Sequence, residues 1–283
     1  FFRTAQDAKI SLERLGEVHL KDDEEPQDKN FARILPESQS LTCNNISFQY
    51  EGPHSEFVLK NINLKIGHKE TTAIVGPSGS GKTSLIKLLL SFYQAVEGDI
   101  RIGDIKLSNF SSSMWRSKCG VVMQDGFIFS DSIAANIALG NENIDEKKLI
   151  NSVKIANIQE FIEGLPLGYN TRIGQEGIGL SQGQKQRILI ARAIYKDPSF
   201  FFFDEATNAL DANNEKIIMK NLETVFKGKT VVIVAHRLST VINADQIIVL
   251  DKGRIIEKGK HTELIEKRGA YYELIKNQLE LGN

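Results

Sequence analysis

Gly76-Pro77-Ser78-Gly79-Ser80-Gly81-Lys82-Thr83 fits the phosphate-binding template G-x-x-x-x-G-K-[ST] at every fixed position. Before it, Thr71-Thr72-Ala73-Ile74-Val75 is short, apolar and β-branched, and reads as a buried strand. After it, Ser84-Leu85-Ile86-Lys87-Leu88-Leu89-Leu90 reads as a helix. Strand, glycine loop, helix is the context the template requires. Gly76, Gly79 and Gly81 can take backbone angles closed to other residues and leave room for phosphate oxygens. Backbone N–H groups then point inward, and the helix N-terminus adds positive potential. Lys82 is placed to reach β- and γ-phosphates, Thr83 to offer its hydroxyl to Mg²⁺, and Ser84 to bond an α-phosphate. The bland alternative is a Gly/Ser-rich turn with a chance lysine; the flanking elements argue against it.

The bulk numbers exclude more than they assign. With 283 residues, 41% hydrophobic and 25% charged, the chain is ordinary globular material for one large or two small domains. A net charge of −1 gives no pull toward nucleic acid or anionic lipid. Cys43 and Cys119 stand far apart and read as reduced thiols, and no Cys/His cluster has zinc-ligand spacing. No apolar run reaches the roughly 20 residues that span a bilayer. The sequence opens on Phe1 with no signal-peptide pattern, so it reads as a fragment of something longer.

Outward from the loop, residues 1–20 carry Ala5, Ala8, Leu12 and Leu15 at helical spacing, and Lys21-Asp22-Asp23-Glu24-Glu25-Pro26 reads as a solvated linker. The compact domain is expected from Leu41. Ile46, Phe48 and Tyr50 alternate, as do Ile62, Leu64 and Ile66, with Glu51-Gly52-Pro53 as the turn and a further strand from Asp99 to Ile105. These strands predict a small antiparallel layer beside the main sheet. From residue 126 strand signals fade; Ser132–Leu139 and Glu146–Glu163 carry helical spacing, which predicts a helical insertion over about 126–196. Residues 262–281 read as one terminal amphipathic helix, behind a hairpin turned at Asp251-Lys252-Gly253.

Two further stretches carry chemistry. In Leu180-Ser181-Gln182-Gly183-Gln184, Ser181 and Gln184 form the capping box S-x-x-Q ahead of Ile188, Leu189 and Ile194, so Ser181 opens a helix. Alone, that is ordinary capping. Beside a phosphate loop it reads as a second anion site. In Ser199-Phe200-Phe201-Phe202-Phe203-Asp204-Glu205, four aromatics precede two acids, which reads as a core strand ending at the sheet's carboxyl edge, where ligands bind in open α/β sheets. Asp204 is then the acid that holds Mg²⁺ and Glu205 the base for an attacking water; the rival reading is a pair of surface acids. Thr230 to Ala235 is another apolar strand and leads to His236 at the same edge.

The phosphate loop, Leu180–Gln184, Phe203-Asp204-Glu205 and His236 occur in the order found in nucleotide-binding domains of ABC transporters, and the resemblance covers about 41–275. It implies an α/β fold: a P-loop NTPase (RecA-like) core with an antiparallel β-subdomain and an inserted α-helical subdomain, over 41–283. It implies ATP and Mg²⁺ as cofactors. Tyr50 resembles the aromatic that stacks on adenine. Residues Gly76, Pro77, Ser78, Gly79, Ser80, Gly81, Lys82, Thr83 and Ser84 form the phosphate cradle. Gln124 resembles the glutamine that touches Mg²⁺ and relays nucleotide state to the membrane domain. Asp211, in Ala206-Thr207-Asn208-Ala209-Leu210-Asp211, resembles the acid of the loop that links two active sites. His236 resembles the switch histidine at the γ-phosphate. The catalytic set is thus Glu205, His236, Lys82 and Gln124, and the metal set Thr83, Gln124 and Asp204. Ser181, Gly183 and Gln184 of one chain face ATP held by another, which implies a homodimer with two nucleotides sandwiched head to tail.

The sequence departs from the family pattern in places. Gln182 replaces a glycine, Asn208 a serine, Gly126 a proline, and Gln175-Glu176 replaces a first-position Glu. Residues 1–40 resemble the end of a last transmembrane helix and its coupling linker. This implies an exporter whose membrane domain shares the polypeptide, at the cytoplasmic face of the inner membrane, with no nucleic-acid partner. The signature resembles peptide or bacteriocin exporters; a lipid or multidrug exporter is the alternative. A non-transport ABC ATPase would bring tandem cassettes or a long coiled-coil insertion, and neither is visible. A binding-only half would have lost Glu205 or His236, and both stand.

Overall fold

The computed structural model describes residues 2–19, 23–26, 30–50, 55–141, 143–175, 177–235 and 241–281. In chain order the elements are α1 (Phe2–His19), β1 (Leu41–Phe48), β2 (Leu59–Ile66), β3 (Thr71–Val75), α2 (Lys82–Leu89), β4 (Glu97–Ile102), β5 (Ile105–Lys106), α3 (Ser112–Ser117), β6 (Cys119–Val122) and β7 (Asp131–Ser132). There follow α4 (Ile133–Ile137), α5 (Glu146–Ile155), α6 (Gln159–Glu163), β8 (Arg172–Ile173), α7 (Gln182–Tyr195), β9 (Phe200–Asp204) and α8 (Ala212–Phe226). The last are β10 (Thr230–Val234), β11 (Gln246–Asp251), β12 (Arg254–Gly259), α9 (His261–Lys267) and α10 (Ala270–Leu281).

The main sheet runs β12-β11-β3-β10-β9-β6, parallel except for the β12 edge. The expected antiparallel layer is a second sheet, β2-β1-β4-β5. Its neighbour across the core is α2, the helix after the phosphate loop. Residues Phe200 to Phe203 show how the core divides. Successive side chains of a strand point to opposite faces. Phe201 and Phe203 stack against each other and lean on Phe226 of α8, while Phe200 and Phe202 meet Trp115 on the other face. All four are buried. Trp115 donates its indole N–H to the Leu89 carbonyl at 2.9 Å, tying α3 to the end of α2.

The sheet register places the chemistry. Ile74 pairs with Val234, and Val234 with Asp204. The carboxyl ends of β3, β10 and β9 therefore lie in line, and Asp204 stands two strand steps, about 10 Å, from the mouth of the phosphate loop.

Two expected helices are broken, each for a local reason. The 146–163 segment splits into α5 and α6 at Asn157, whose φ of 52° lies in the left-handed region that Asn tolerates. The terminal helix splits into α9 and α10 at Arg268 (φ 51°) and Gly269. Glu257 of β12 then accepts the N–H groups of Ala270 and Tyr271 at 2.7 and 3.0 Å and so caps α10. A side chain at Gly269 would collide with that carboxylate.

The acidic linker is not simply solvated. Glu24 makes a two-point pair with Arg116 at 2.6 and 2.5 Å, and the guanidinium holds its carboxyl below the ordinary range. Glu25 accepts from the Ser113 N–H at 2.8 Å and the Ser111 hydroxyl at 2.9 Å, at the start of α3. Ala32 exchanges backbone bonds with Asn109 and Ser111, and Ser40 accepts from Gly103, so the folded body starts before Leu41. The turn at 51–53 lies outside the described residues. Among the described residues, no helix is long and apolar enough to cross a membrane.

Both thiols are buried and free. Burial alone pushes Cys43 up to about 12, and raises Cys119 as well. Native chain is therefore expected to resist an aromatic disulfide reagent and to release two thiols only on unfolding; rapid native labelling would contradict this packing.

Candidate functional site

The phosphate loop is shaped by what a side chain would hit. Gly76 has φ 153°, and a Cβ there would sit 2.0 Å from the Leu250 carbonyl oxygen, which is backbone and cannot yield. Gly81, at φ 104°, is the N-cap of α2, and a Cβ there would press Leu59 at 2.8 Å. The loop is also pinned to the β11–β12 turn, where the Gly253 N–H donates to the Ser80 carbonyl at 3.1 Å. Pro77, Ser78 and Gly79 are exposed, whereas Gly76, Ser80, Gly81 and Lys82 are buried.

Lys82 donates to the carbonyls of Gly76 at 3.0 Å and Pro77 at 2.9 Å, so its ammonium lies across the loop's own opening strand. Burial pulls its pKa down, and the charges of Glu205 and Asp204 oppose that. Its hydrogen-bond acceptors are neutral carbonyls, which an anionic phosphate oxygen outcompetes for a cationic donor. Ser84 shares a hydrogen bond with the Tyr50 hydroxyl at 2.9 Å. Tyr50 is 44% exposed and packs edge-on to Phe48 and Tyr93, with the Lys87 ammonium 5.9 Å over its ring. An aromatic face thus borders the cradle.

Asp204 is 0% exposed, and among the described residues neither of its carboxylate oxygens is held by a close hydrogen bond. Thr83 is the near hydroxyl. Burial raises the Asp204 pKa, with Glu205 adding to the shift and Thr83, Lys82 and Lys87 opposing it. An orphaned buried carboxylate beside a threonine hydroxyl fits a hard divalent cation, since oxygen ligands suit Mg²⁺. Among the described residues no group of three His, Cys, Asp or Glu could hold a metal by itself. The donor set therefore fits an ion completed by phosphate oxygens and water, as Mg²⁺ with a nucleotide is.

The raised pKa has a stability consequence. A carboxyl whose folded pKa exceeds its unfolded value destabilises the fold as pH rises through that interval, and the penalty stands in full above it. Asp204→Asn is therefore expected to raise the melting temperature of the nucleotide-free chain at neutral pH. The same variant should lose the extra stabilisation that Mg²⁺ adds to ATP. A scan with and without ATP and Mg²⁺ reads both, and a less stable apo variant would contradict the desolvation argument.

Glu205 follows at the strand end with φ 53°, a left-handed backbone that a glutamate adopts only under constraint. Its N–H donates to the Val234 carbonyl at 3.1 Å. Its carbonyl accepts from the Gln186 side chain at 3.0 Å, and the Asn208 amide donates to its carboxylate. Gln124 is exposed, two residues beyond β6, at the same carboxyl edge. His236 lies outside the described residues.

The capping box at Ser181 is present in full: the Gln184 N–H donates to Ser181 Oγ at 3.2 Å and the Ser181 N–H to Gln184 Oε1 at 2.8 Å. Ser181 and Gln182 are exposed. Gly183 backs onto the 206–211 loop, and a Cβ there would meet the Ala209 carbonyl at 3.2 Å. Asp211 is the N-cap of α8, accepting from the Asn213 and Asn214 N–H groups at 3.1 and 2.9 Å, which with the Asn214 amide holds its carboxyl below the ordinary range. Among the described residues, no hydrogen bond joins Ser181, Gly183 or Gln184 to the loop of their own chain. Tyr50, 76–84, Asp204 and Glu205 converge; the Ser181 helix start faces outward.

Ser181→Ala removes the cap and is expected to cost about 1 kcal/mol of stability, measured by urea unfolding. No loss would mean that the box does not hold the helix start.

Sequence reasoning missed Gln186 and Lys87. Gln186 is 8% exposed and joins the Ala209 N–H at 3.0 Å to the Glu205 carbonyl. One signal was available: Gly183, Gln186 and Ile190 fall on one face of α7, so Gln186 is a polar residue at a core position. For Lys87 there was none.

Comparison with known proteins agrees with this geometry. Residues 59–208 match the family model of the ABC transporter. The chain is 45% identical over 278 residues to the leukotoxin export ATP-binding protein LtxB of Aggregatibacter actinomycetemcomitans, covering 98% of this chain and 38% of that protein. It is 45% identical over 271 residues to the alpha-hemolysin translocation ATP-binding protein HlyB of Escherichia coli O6:H1 (strain CFT073), covering 95% of this chain and 38% of the relative. A solved structure of a bacterial Atm1-family ABC exporter with ATP bound superposes with a TM-score of 0.87 at 35% identity, over 98% of this chain and 48% of that one. The chain thus spans about two fifths of the length of the two toxin-export relatives and just under half of the exporter structure. With a matched family model over more than half its length and the phosphate loop, buried acid and capped helix start in the expected places, the chain belongs to the ABC transporter family, as an ATPase domain with the ABC ATPase fold.

Proposed function

We propose that this chain is the ATP-hydrolysing motor of an exporter that moves a polypeptide out across the inner membrane, working from the cytoplasmic face as a dimer. The observation that carries the site reading is the strand-end pair: a buried Asp204, near the Thr83 hydroxyl and without a close hydrogen bond among the described residues, beside a glutamate held at both its carbonyl and its carboxylate, facing a lysine-bearing glycine cradle. The polypeptide cargo is supported by the relatives, whose names state leukotoxin export and alpha-hemolysin translocation. A membrane domain in the same polypeptide is supported by their greater length.

The chain's residues divide the work as follows. The cradle from Gly76 to Thr83 binds the triphosphate with backbone N–H groups, and Lys82 exchanges its loop carbonyls for phosphate oxygens. Tyr50 offers its ring to the base. Thr83 and Asp204, with Gln124 at the edge of the site, would hold Mg²⁺, which when bound would supply charge neutralisation at the phosphates. Glu205 orients the attacking water and takes its proton. Ser181, Gly183 and Gln184 close over a nucleotide held by the partner, with His236 and Asp211 completing the seam. Positioning and electrostatics, rather than covalent chemistry, carry the phosphoryl transfer.

The cargo is tested in the native cell. Chromosomal Lys82→Ala should remove one or a few polypeptides from the culture medium, read by mass spectrometry. An unchanged set of secreted polypeptides with an altered envelope-lipid profile or drug tolerance would move the assignment to a lipid or multidrug exporter.

A further inference from the structure

Gln186 is a buried amide at a core-facing position of a helix, where an apolar residue packs without polar cost. Its two polar atoms are both spent on one loop. Nε2 donates to the Glu205 carbonyl at 3.0 Å, and Oε1 accepts the Ala209 N–H at 3.0 Å. The loop between those points is the one that leaves β9, and it begins on the left-handed backbone of Glu205. A residue held at φ 53° keeps that angle only while its surroundings over-determine it. The Val234 carbonyl fixes the Glu205 N–H, and Gln186 fixes its carbonyl. Both peptide groups of this residue are therefore tied, one to the sheet and one to α7.

We propose that Gln186 is a positioning residue for ATP hydrolysis: its side-chain amide clamps both ends of the Glu205–Ala209 loop and so sets the aim of the Glu205 carboxylate. The proposal rests on the reading of Glu205 as the base. The clamp has a further consequence. Gln186 sits in the first turns of α7, five residues beyond Ser181, and Gly183 packs on the Ala209 carbonyl that closes the same loop. Ser181 and Glu205 are thereby parts of one braced body. A displacement of the helix start by a nucleotide at the partner's site is transmitted to the base of its own chain through two hydrogen bonds and one backbone contact. The Asn208 amide, inside the clamped loop, holds the carboxylate itself.

The test is steady-state ATP hydrolysis with Gln186→Met, which keeps the side chain's length and bulk and loses both bonds. The expected result is a kcat lowered about tenfold to a hundredfold with KM within about twofold, the pattern of a misaimed catalytic group. ATP affinity by calorimetry and the thermal midpoint should stay near those of the parent chain. Gln186→Leu, which also loses both bonds at similar bulk, should lose kcat as well. A parent-like kcat in Gln186→Met, while Glu205→Gln is inactive, overturns the proposal and leaves the base assignment standing. A fall in kcat that tracks a fall in ATP affinity or thermal midpoint overturns it too, because that marks general damage. Full turnover by Glu205→Gln removes the base reading and this inference with it.

Discussion

Glu205→Gln is expected to lower the steady-state rate of ATP hydrolysis by about a hundredfold to ten-thousandfold, the usual contribution of a positioned general base. ATP binding should survive. The substitution keeps the side chain's size and its ability to accept from the Asn208 amide, and leaves the backbone bonds to Val234 and Gln186 untouched. What it removes is the carboxylate that can take a proton. The variant should therefore accumulate as an ATP-bound dimer, seen as a shift to twice the mass in size-exclusion chromatography with ATP and Mg²⁺. Parent-like release of phosphate would show that the proton goes elsewhere.

Lys82→Ala is expected to weaken ATP affinity about tenfold to a hundredfold, since a charge-assisted bond to phosphate contributes about 1.5–3 kcal/mol. The lysine is buried, and among the described residues its ammonium is held by the loop carbonyls of Gly76 and Pro77. Removing it strands those carbonyls, so the loop itself should loosen, yet the fold's two cores do not touch this side chain's charge. Calorimetry separates the cases: weak binding with a parent-like melting curve supports the phosphate role, and unchanged affinity contradicts it.

Much of this molecule was legible in its sequence, because the informative segments are short and locally over-determined. A glycine loop between a β-branched strand and an apolar helix has few ways to fold. The four consecutive phenylalanines could only be a strand buried on both faces, and they are split between two cores as the period of two demands. The capping box at Ser181 announced its helix to the residue. Failures came where a single residue overrode a longer pattern. Asn157 and Arg268 adopt left-handed backbones inside segments whose spacing was helical, and no periodicity count registers that. The acid run before Pro26 looked solvated because its partners, Arg116 and the start of α3, lie far along the chain. Gln186 was hidden for the same reason: what makes it matter is a loop nineteen residues away.

The central claim is that catalysis is shared, with one chain's glycine cradle and the other chain's serine-headed helix closing on the same nucleotide. The outward, solvent-exposed start of α7 is what that arrangement needs in a single chain. The direct test is the crystal structure of Glu205→Gln with ATP and Mg²⁺. The partner subunit's Ser181 hydroxyl is expected within about 3 Å of a γ-phosphate oxygen held by Lys82. A nucleotide-bound structure with that helix start facing solvent, away from any terminal phosphate, would contradict it.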